Sequence, residues 1–383
     1  MDYSPILQLQ LRPNIIDLGW GHPDMQLLPH AQIQSATNTA LRRWGGAMLT
    51  YGIDHGVIPL REQLADWIAQ HEQVRPQLAE IMLSAGNSQA LAHICTMLTQ
   101  PGDVILVENP TYHLALRILR DAPVVIRGIP CDHEGVDVDA LRAVVHEYHQ
   151  AGQRVAFFYT IPTFQNPTGT TLSSARRQQL AQLVVNSGLQ IVEDDVYREL
   201  WYEHAPAPSL WASLPRGSVI RLGSFAKSLA PGLRLGYISA DVGTIQRLAG
   251  SGLLDSGGGI AHFQSLIVSE LMANGDFADI VSQYRQRYGS RCHALHTALV
   301  PLQSHGYQWY RPTGGYFLWM RLPSGCDELQ ALARLEERGV SALPGQLFSQ
   351  GPLGYAALRF SFSLYDEATL HHAGALIVDT LLS

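Results

Sequence analysis

The sequence is sparing with cysteine and with charge, and it has no long hydrophobic run. Its four cysteines, Cys95, Cys131, Cys292 and Cys326, lie far apart and never as CxxC, which argues against a disulfide framework or a structural zinc site. Histidine is plentiful, but no HExxH occurs, and His146 and His149 read as part of an exposed helix end; no metal is expected. No segment approaches the roughly 18 unbroken apolar residues of a membrane span. The N-terminus carries Asp2 and lacks the basic stretch before an apolar core that marks a secretory signal, so the cytoplasm is the expected location. At a net charge of −7 and without a stripe of Lys and Arg, the chain offers no nucleic-acid surface of its own. Charged residues make up only 15%, which leaves room for a large buried interface and points to an oligomer.

What is present is an alternation. With 383 residues the chain exceeds the length at which one hydrophobic core stops growing, so two domains are expected. Pro59 to Gln70 places Leu60, Leu64, Trp67 and Ile68 at helical spacing, and Gln89 to Leu98 reads as a further helix. Short apolar runs bounded by turn signals follow as strands: DVILVE, PVVIRGI, RVAFFY, LQIVEDD, SVIRLG and LGYISA. Helices near Val138 to His149 and Ser173 to Ser187 separate them. Buried runs interleaved with helices indicate an α/β domain with a mostly parallel sheet, and ligands of such sheets gather beyond the carboxyl ends of the strands. Past residue 250 a long helical stretch, roughly His262 to Leu302, precedes the strand-rich YQWYRPTGGYFLWMRL, and helix, strand and helix close the chain. The expected division is an N-terminal segment 1–47 belonging to the small domain, a large domain 48–252, and a small α+β domain 253–383.

Several polar residues fall at strand ends. Lys227 follows the strand SVIRLG and is surrounded in sequence by Phe225, Ala226, Leu229, Ala230 and Leu233. Desolvation there lowers the ammonium pKa, as a Schiff-base lysine requires, whereas most lysines are solvated surface charges. Ser224 and Arg234 suit a phosphate beside it. The run IVEDDVY crowds Glu193, Asp194 and Asp195 after a buried strand, where one carboxylate can cap a helix and a buried one needs a cation. A protonated pyridine nitrogen is such a cation, and keeping it protonated makes the ring an electron sink; Tyr197 is placed to reach the same ring. QNPTG, residues 165–169, is a turn at a strand end. In SAGNSQAL small residues open a helix whose N–H groups can face a phosphate, and ENPTY puts Tyr112 near another strand end.

Taken in order, LTYGIDHGVIPLREQL, SAGNSQAL, ENPTY, QNPTG, EDDVY, SFAKSLAPGLRLGY, PTGGYFLW and LRFSFS resemble the class I/II aminotransferases, the fold-type I enzymes that use pyridoxal 5'-phosphate. The resemblance covers nearly the whole chain and is nearest to the kynurenine and 2-aminoadipate aminotransferase branch and the aminotransferase-like domains of MocR-type regulators. It implies a three-layer large domain, a smaller α+β domain and a homodimer. It implies that Lys227 holds the cofactor and shuttles the proton, that Asp194 faces the pyridine nitrogen, and that Asn166 and Tyr197 face the ring hydroxyl oxygen. It implies Tyr112 stacked on the ring, with Asn87, Ser88, Ser224 and Arg234 around the phosphate and Tyr51 reaching it from the partner subunit. Arg359 matches the arginine that forks the substrate's α-carboxylate, with Asn166 beside it.

Two residues depart from that pattern. Ala226 stands before the lysine where many relatives carry a serine or threonine that touches the phosphate, so slightly weaker cofactor binding is expected. Trp20 stands in LGWGHPD where near relatives have a small glycine, so an indole reshapes the side-chain pocket and the usual substrates need not carry over. The expected reaction is amino transfer between an amino acid and a 2-oxo acid. A β-lyase, decarboxylase or racemase would use the same lysine and carboxylate. A MocR-type effector domain is the other alternative, but the motifs begin near Asp17, with no room before them for a winged-helix domain.

Overall fold

The computed structural model describes residue 8 and residues 10–383. A short strand, β1 (Ile16–Asp17), comes first, followed by helices α1 (His30–Trp44) and α2 (Ile58–Glu72). Strands and helices then alternate as β2 (Ile81–Ser84), α3 (Asn87–Leu98), β3 (Val104–Asn109), α4 (His113–Arg120), β4 (Val125–Asp132), β5 (Gly135–Val136), α5 (Val138–Gln150), β6 (Val155–Thr160) and α6 (Ser174–Ser187). The alternation continues through β7 (Ile191–Asp194), α7 (Leu210–Ser213), β8 (Val219–Ser224) and β9 (Gly236–Ser239). The rest of the chain is α8 (Val242–Ala249), α9 (Gly252–Gly257), α10 (His262–Ala273), α11 (Asp276–Leu299), β10 (Phe317–Arg321), α12 (Glu328–Glu337), β11 (Val340–Ser341), β12 (Leu343–Pro344), β13 (Ala357–Ser361) and α13 (Glu367–Leu382).

Local chemistry sets several of these ends. Pro59 lies in the first turn of α2, where its missing N–H is no loss, and the helix stops at Gln73 with φ of 60°. The Ser173 side chain accepts from Arg176 N at the start of α6, and Gly188 closes it in the left-handed region. The long helix expected over His262 to Leu302 is in fact two helices. Gly275, at φ of 90°, interrupts it between α10 and α11, and α11 stops at Leu299, just before Pro301.

The large sheet has eight strands in the order β2-β9-β8-β7-β6-β3-β4-β5. Neighbours from β8 to β4 are parallel, β9 runs against both β2 and β8, and β5 is a short antiparallel edge. Because successive residues of a strand face opposite ways, the sheet feeds two cores. Leu83, Leu106, Phe158 and Ile191 pack with α1, α2, α6 and α10 on one face. Met82, Val107, Tyr159, Val192 and Leu222 pack with α3, α4 and α8 on the other. The result is the three-layer α/β arrangement expected of fold-type I enzymes.

A third core gathers Leu18, Leu295, Leu318, Leu335, Phe360 and Ile377 around the antiparallel sheet β10-β13-β12. Strand β1 pairs with β11, so the N-terminal segment is tied to residues far along the chain. Helix α11 joins the two regions: Phe277 and Tyr284 lie in the first core, Cys292 and Leu299 in the third.

Candidate active site

Strands β2, β3, β6, β7 and β8 run in one direction, so their carboxyl ends open at the same edge of the sheet. Lys227 sits in the turn after β8, a turn closed by Leu229 N donating to Phe225 O at 2.9 Å. Its Nζ donates to the Gly21 carbonyl at 2.6 Å and lies 5.3 Å from the centroid of the Tyr316 ring. Burial, helped by the positive charges of Arg359 and Arg234, pulls the ammonium down to about 8.

The three crowded carboxylates separate by strand parity. Glu193 faces α7 and accepts from Leu210 N at 2.8 Å and Trp211 N at 3.0 Å. Asp195 faces the same way and pairs with Arg198 and, at 2.9 Å, with Arg221, which also meets Glu72 at 2.6 Å. Asp194 faces the other way, toward α3. Its oxygens accept from Asn87 Nδ2 at 2.6 Å and from the Tyr159 hydroxyl at 2.7 Å. Both partners are neutral, and among the described residues no cation pairs with Asp194. Burial therefore wins over the two hydrogen bonds and lifts the carboxyl to about 6.

Arg359, on β13, enters from the smaller sheet. Its guanidinium donates to Asn166 Oδ1 at 3.0 Å and to the Gly19 carbonyl at 2.5 Å. Phe317 and Phe348 lie 4.1 and 4.7 Å from it at their ring centroids, and its Nε is buried without a partner. Burial lowers it to about 10. Tyr197 packs edge-on against Tyr316 and Phe317 at 5.6 and 5.8 Å, and burial raises its hydroxyl. Half-buried Tyr112 caps α4; burial first, then the charge of Asp194, push it to about 12.

Gly86 precedes α3 at φ of 85°, and a Cβ on it would stand 2.8 Å from Arg234 Nη2. The backbone N–H groups opening α3 thus lie beside a guanidinium, in a cradle shaped for an anion. Ser88 is exposed in the first turn of α3, Ser224 Oγ accepts from Ala226 N at 3.1 Å, and Arg234 Nη2 donates to Ala85 O at 3.3 Å. Ala226 adds no side-chain hydroxyl there. Trp20 is half-buried, with its ring edge-on to His22 at 5.2 Å. Tyr51 is not brought into the cluster: it is 80% exposed, beside Gly258.

Sequence reasoning missed Tyr159, read only as part of a buried strand, although a hydroxyl in an otherwise apolar run is a signal. It also missed the carbonyls of Gly19 and Gly21, His22 between those carbonyls and Pro23, and the two phenylalanines against Arg359. Among the described residues no three His, Cys, Asp or Glu side chains gather as a metal cage, and no helix is long and apolar enough to cross a membrane.

Known proteins match both the chain and its fold. The model of the aminotransferase class I and II family matches residues 13–377. An aromatic-amino-acid aminotransferase of Thermococcus litoralis is 32% identical over 378 residues, 98% of this chain and 90% of that protein. A 2-aminoadipate transaminase of Thermus thermophilus is 34% identical over 370 residues, 94% of this chain and 89% of its own length. The crystal structure of kynurenine aminotransferase from Pyrococcus horikoshii superposes with a TM-score of 0.90 at 29% identity, covering 100% of this chain and 98% of the other. With a mostly parallel sheet whose strand ends hold a desolvated lysine and a buried aspartate, the chain belongs to the class I and II aminotransferase family and is an enzyme that uses pyridoxal phosphate to transfer amino groups.

Proposed function

We propose that the amino donor is an aromatic or long-chain α-amino acid, that the acceptor is 2-oxoglutarate, and that the cluster around Lys227 performs the transfer. The names of the Thermococcus, Thermus and Pyrococcus proteins support this donor range. The observation that carries the residue roles is one backbone segment gripped twice. Gly19 O binds Arg359 and Gly21 O binds Lys227 Nζ, so a carboxylate-binding fork and a desolvated amine stand two residues apart along the same short stretch.

The residues present fit pyridoxal phosphate. Asp194 is buried with neutral donors only, so a protonated pyridine nitrogen would supply its missing cation. The backbone N–H groups that open α3 at Asn87 and Ser88 lie beside Arg234, so a phosphate there would accept from them and from the guanidinium. When bound, the cofactor supplies a carbonyl that condenses with amines and a ring that stabilises the negative charge left at the α-carbon. Asn87, Ser88, Ser224 and Arg234 would hold its phosphate, Tyr112 would stack on its ring, and Asn166 and Tyr197 would face its ring oxygen.

Arg359 orients the donor through its α-carboxylate, with Asn166 fixing the guanidinium plane. Lys227 then takes the α-proton at Nζ and returns it one position away. Its low pKa lets it do both near neutral pH, and such placement contributes on the order of 10²–10⁴ in rate. Asp194, ionised and fixed by Tyr159 and Asn87, keeps a positive charge opposite it throughout. Trp20 shapes the pocket for the donor's side chain.

The same reading takes the protein as a cytoplasmic homodimer. Leu49, Tyr51 and Leu253 are 71%, 80% and 70% exposed, and the backbone of residues 52–53 lies against Gly258 and Gly259. That apolar patch would be covered by a second copy, from which Tyr51 would reach the phosphate. It also keeps the division into a large domain, 48–252, and a small domain formed by 1–47 with 253–383, which the pairing of β1 with β11 supports.

Absorbance spectroscopy tests the proposal. A yellow band that bleaches with an aromatic or long-chain donor, returns with 2-oxoglutarate and is missing in Lys227→Ala is the expected result. A band that survives Lys227→Ala, or that no donor of these classes bleaches, would overturn it.

A further inference from the structure

The segment from Leu18 to Asp24 is clamped along its length. Ser361 N donates to Leu18 O at 2.6 Å, Arg359 to Gly19 O at 2.5 Å, Lys227 Nζ to Gly21 O at 2.6 Å and Ser363 Oγ to His22 O at 2.7 Å, and Arg291 pairs with Asp24 at 2.7 Å. A side chain on Gly21 would point at Phe317, since a Cβ there would stand 2.8 Å from its Cζ. The flanking rings of Trp20 and His22 meet edge to face at 5.2 Å, so these two leave the backbone on a common side. A donor with its carboxylate on Arg359 and its α-carbon at Lys227 Nζ lies along this segment. His22 follows Gly21, whose carbonyl holds Lys227 Nζ, and the charge of that amine bears on its ring, so it stands beside the place of the donor's α-carbon.

The His22 ring makes no hydrogen bond among the described residues, and its Nδ1 is sealed from solvent without a partner. A sealed N–H without an acceptor costs more than a sealed lone pair, which places the proton on Nε2. Burial, with the charge of Lys227 behind it, holds the ring neutral down to about pH 4. Lys227 is the charged group that bears on His22, and Arg359 and Lys227 are both committed to the donor's α-substituents.

We infer that His22 is a specificity-determining residue that, with Trp20 as its flat apolar partner, donates a hydrogen bond to a hydroxyl on the side chain of a neutral aromatic amino acid. This rests on the donor reading given above and narrows it: phenolic donors are favoured over plain phenyl ones. Because the carbonyls on both sides of His22 are held, the ring is positioned before substrate arrives, and little ordering cost is left for binding.

Unreactive carboxylic acids test this without the transfer step. Hydroxyphenylpropionate and phenylpropionate lack an amino group, and their Kd values can be measured by calorimetry on the holoenzyme. The hydroxylated acid binds about tenfold tighter to the parent enzyme, the worth of one net hydrogen bond. His22→Leu brings the ratio near one, and His22→Gln, which keeps an N–H at similar reach, restores part of it. A ratio near one in the parent, or one that persists in His22→Leu, overturns the role of His22 and leaves the aromatic donor reading standing. If neither aromatic acid binds while a short alkyl carboxylate does, the donor reading itself falls.

Discussion

Gln165 Nε2 donates to Glu108 Oε2 at 3.1 Å, tying the turn that carries Asn166 to the strand end that leads to Tyr112. Glu108 also accepts from Thr160 Oγ1 at 2.7 Å and from Ile161 N at 3.0 Å, and Gln165 Nε2 reaches Pro110 O at 2.8 Å. One buried carboxylate thus holds two loops of the site in register. Glu108→Ala strands three buried donors, and unfolding in urea should report a loss on the order of 2–4 kcal/mol. Glu108→Gln keeps the shape but offers a single acceptor oxygen, so its loss is expected to be smaller. Equal midpoints for all three proteins would show that the loops are held by something else.

Capture of the cofactor by the cofactor-free protein requires Lys227 without its proton. Its pKa stands at about 8, against an ordinary 10.5, because burial and the charges of Arg359 and Arg234 disfavour the ammonium. The rate constant for appearance of the yellow band should therefore rise with pH and level off above about 8. Arg359→Leu removes one of those charges, so the midpoint should move upward, toward the ordinary lysine value. A downward shift, or a midpoint near 10 in the parent, would contradict the electrostatics.

Most of this arrangement was legible, and the gaps have physical causes. Apolar runs alternating with amphipathic stretches revealed β3, β6, β7, β8 and the helices between them, because a strand buried on both faces reads as a block. The break at Gly275 escaped because both flanks are good helices and a single glycine is tolerated inside one. Composition could not choose among Glu193, Asp194 and Asp195; the family resemblance pointed to Asp194, and what separates it physically is parity, which turns it toward α3 while its neighbours meet α7 and Arg221. His22 escaped because its meaning depends on Gly21 O meeting an amine 206 residues away. No local pattern encodes such a contact.

Asp194 makes cofactor affinity depend on pH in a fixed direction. Burial raises its carboxyl to about 6, above the ordinary 3.8, so the cofactor-free protein holds a proton there at lower pH. That proton must leave before the carboxylate can face a pyridinium. Below pH 6 the Kd for pyridoxal phosphate, measured by fluorescence titration, should weaken by up to tenfold per unit beyond what the free cofactor's own titration explains. Asp194→Asn should bind more weakly by roughly 2–4 kcal/mol at pH 8 and lose the added slope. A variant that keeps the slope would assign the titration to another group.

Arg359→Lys separates charge from geometry. The fork now reaches Asn166 Oδ1 and Gly19 O while stacked between Phe317 and Phe348, which a flexible ammonium cannot reproduce. Because the α-carboxylate is held alike before and during proton transfer, the loss should appear mainly in KM, with kcat/KM down on the order of 10²-fold. A drop confined to kcat would mean that the guanidinium acts on the reacting carbon instead.

Tyr51 tests whether the site is shared between subunits. It is 80% exposed in the single chain, so truncating it should change the stability of the chain itself by no more than about 0.5 kcal/mol. Loss of activity in Tyr51→Ala would then come from the assembled site. Mixing Tyr51→Ala with inactive Lys227→Ala decides the matter. If Tyr51 serves the neighbouring subunit, each mixed dimer contains one site with both residues intact, and random exchange should restore about a quarter of parental activity. If Tyr51 serves its own chain, every site in the mixture lacks one residue or the other and no activity returns. Affinity capture of the mixture through a tag carried by one variant alone, run alongside, confirms that subunits have exchanged, so an inactive mixture of exchanged dimers would rule out sharing.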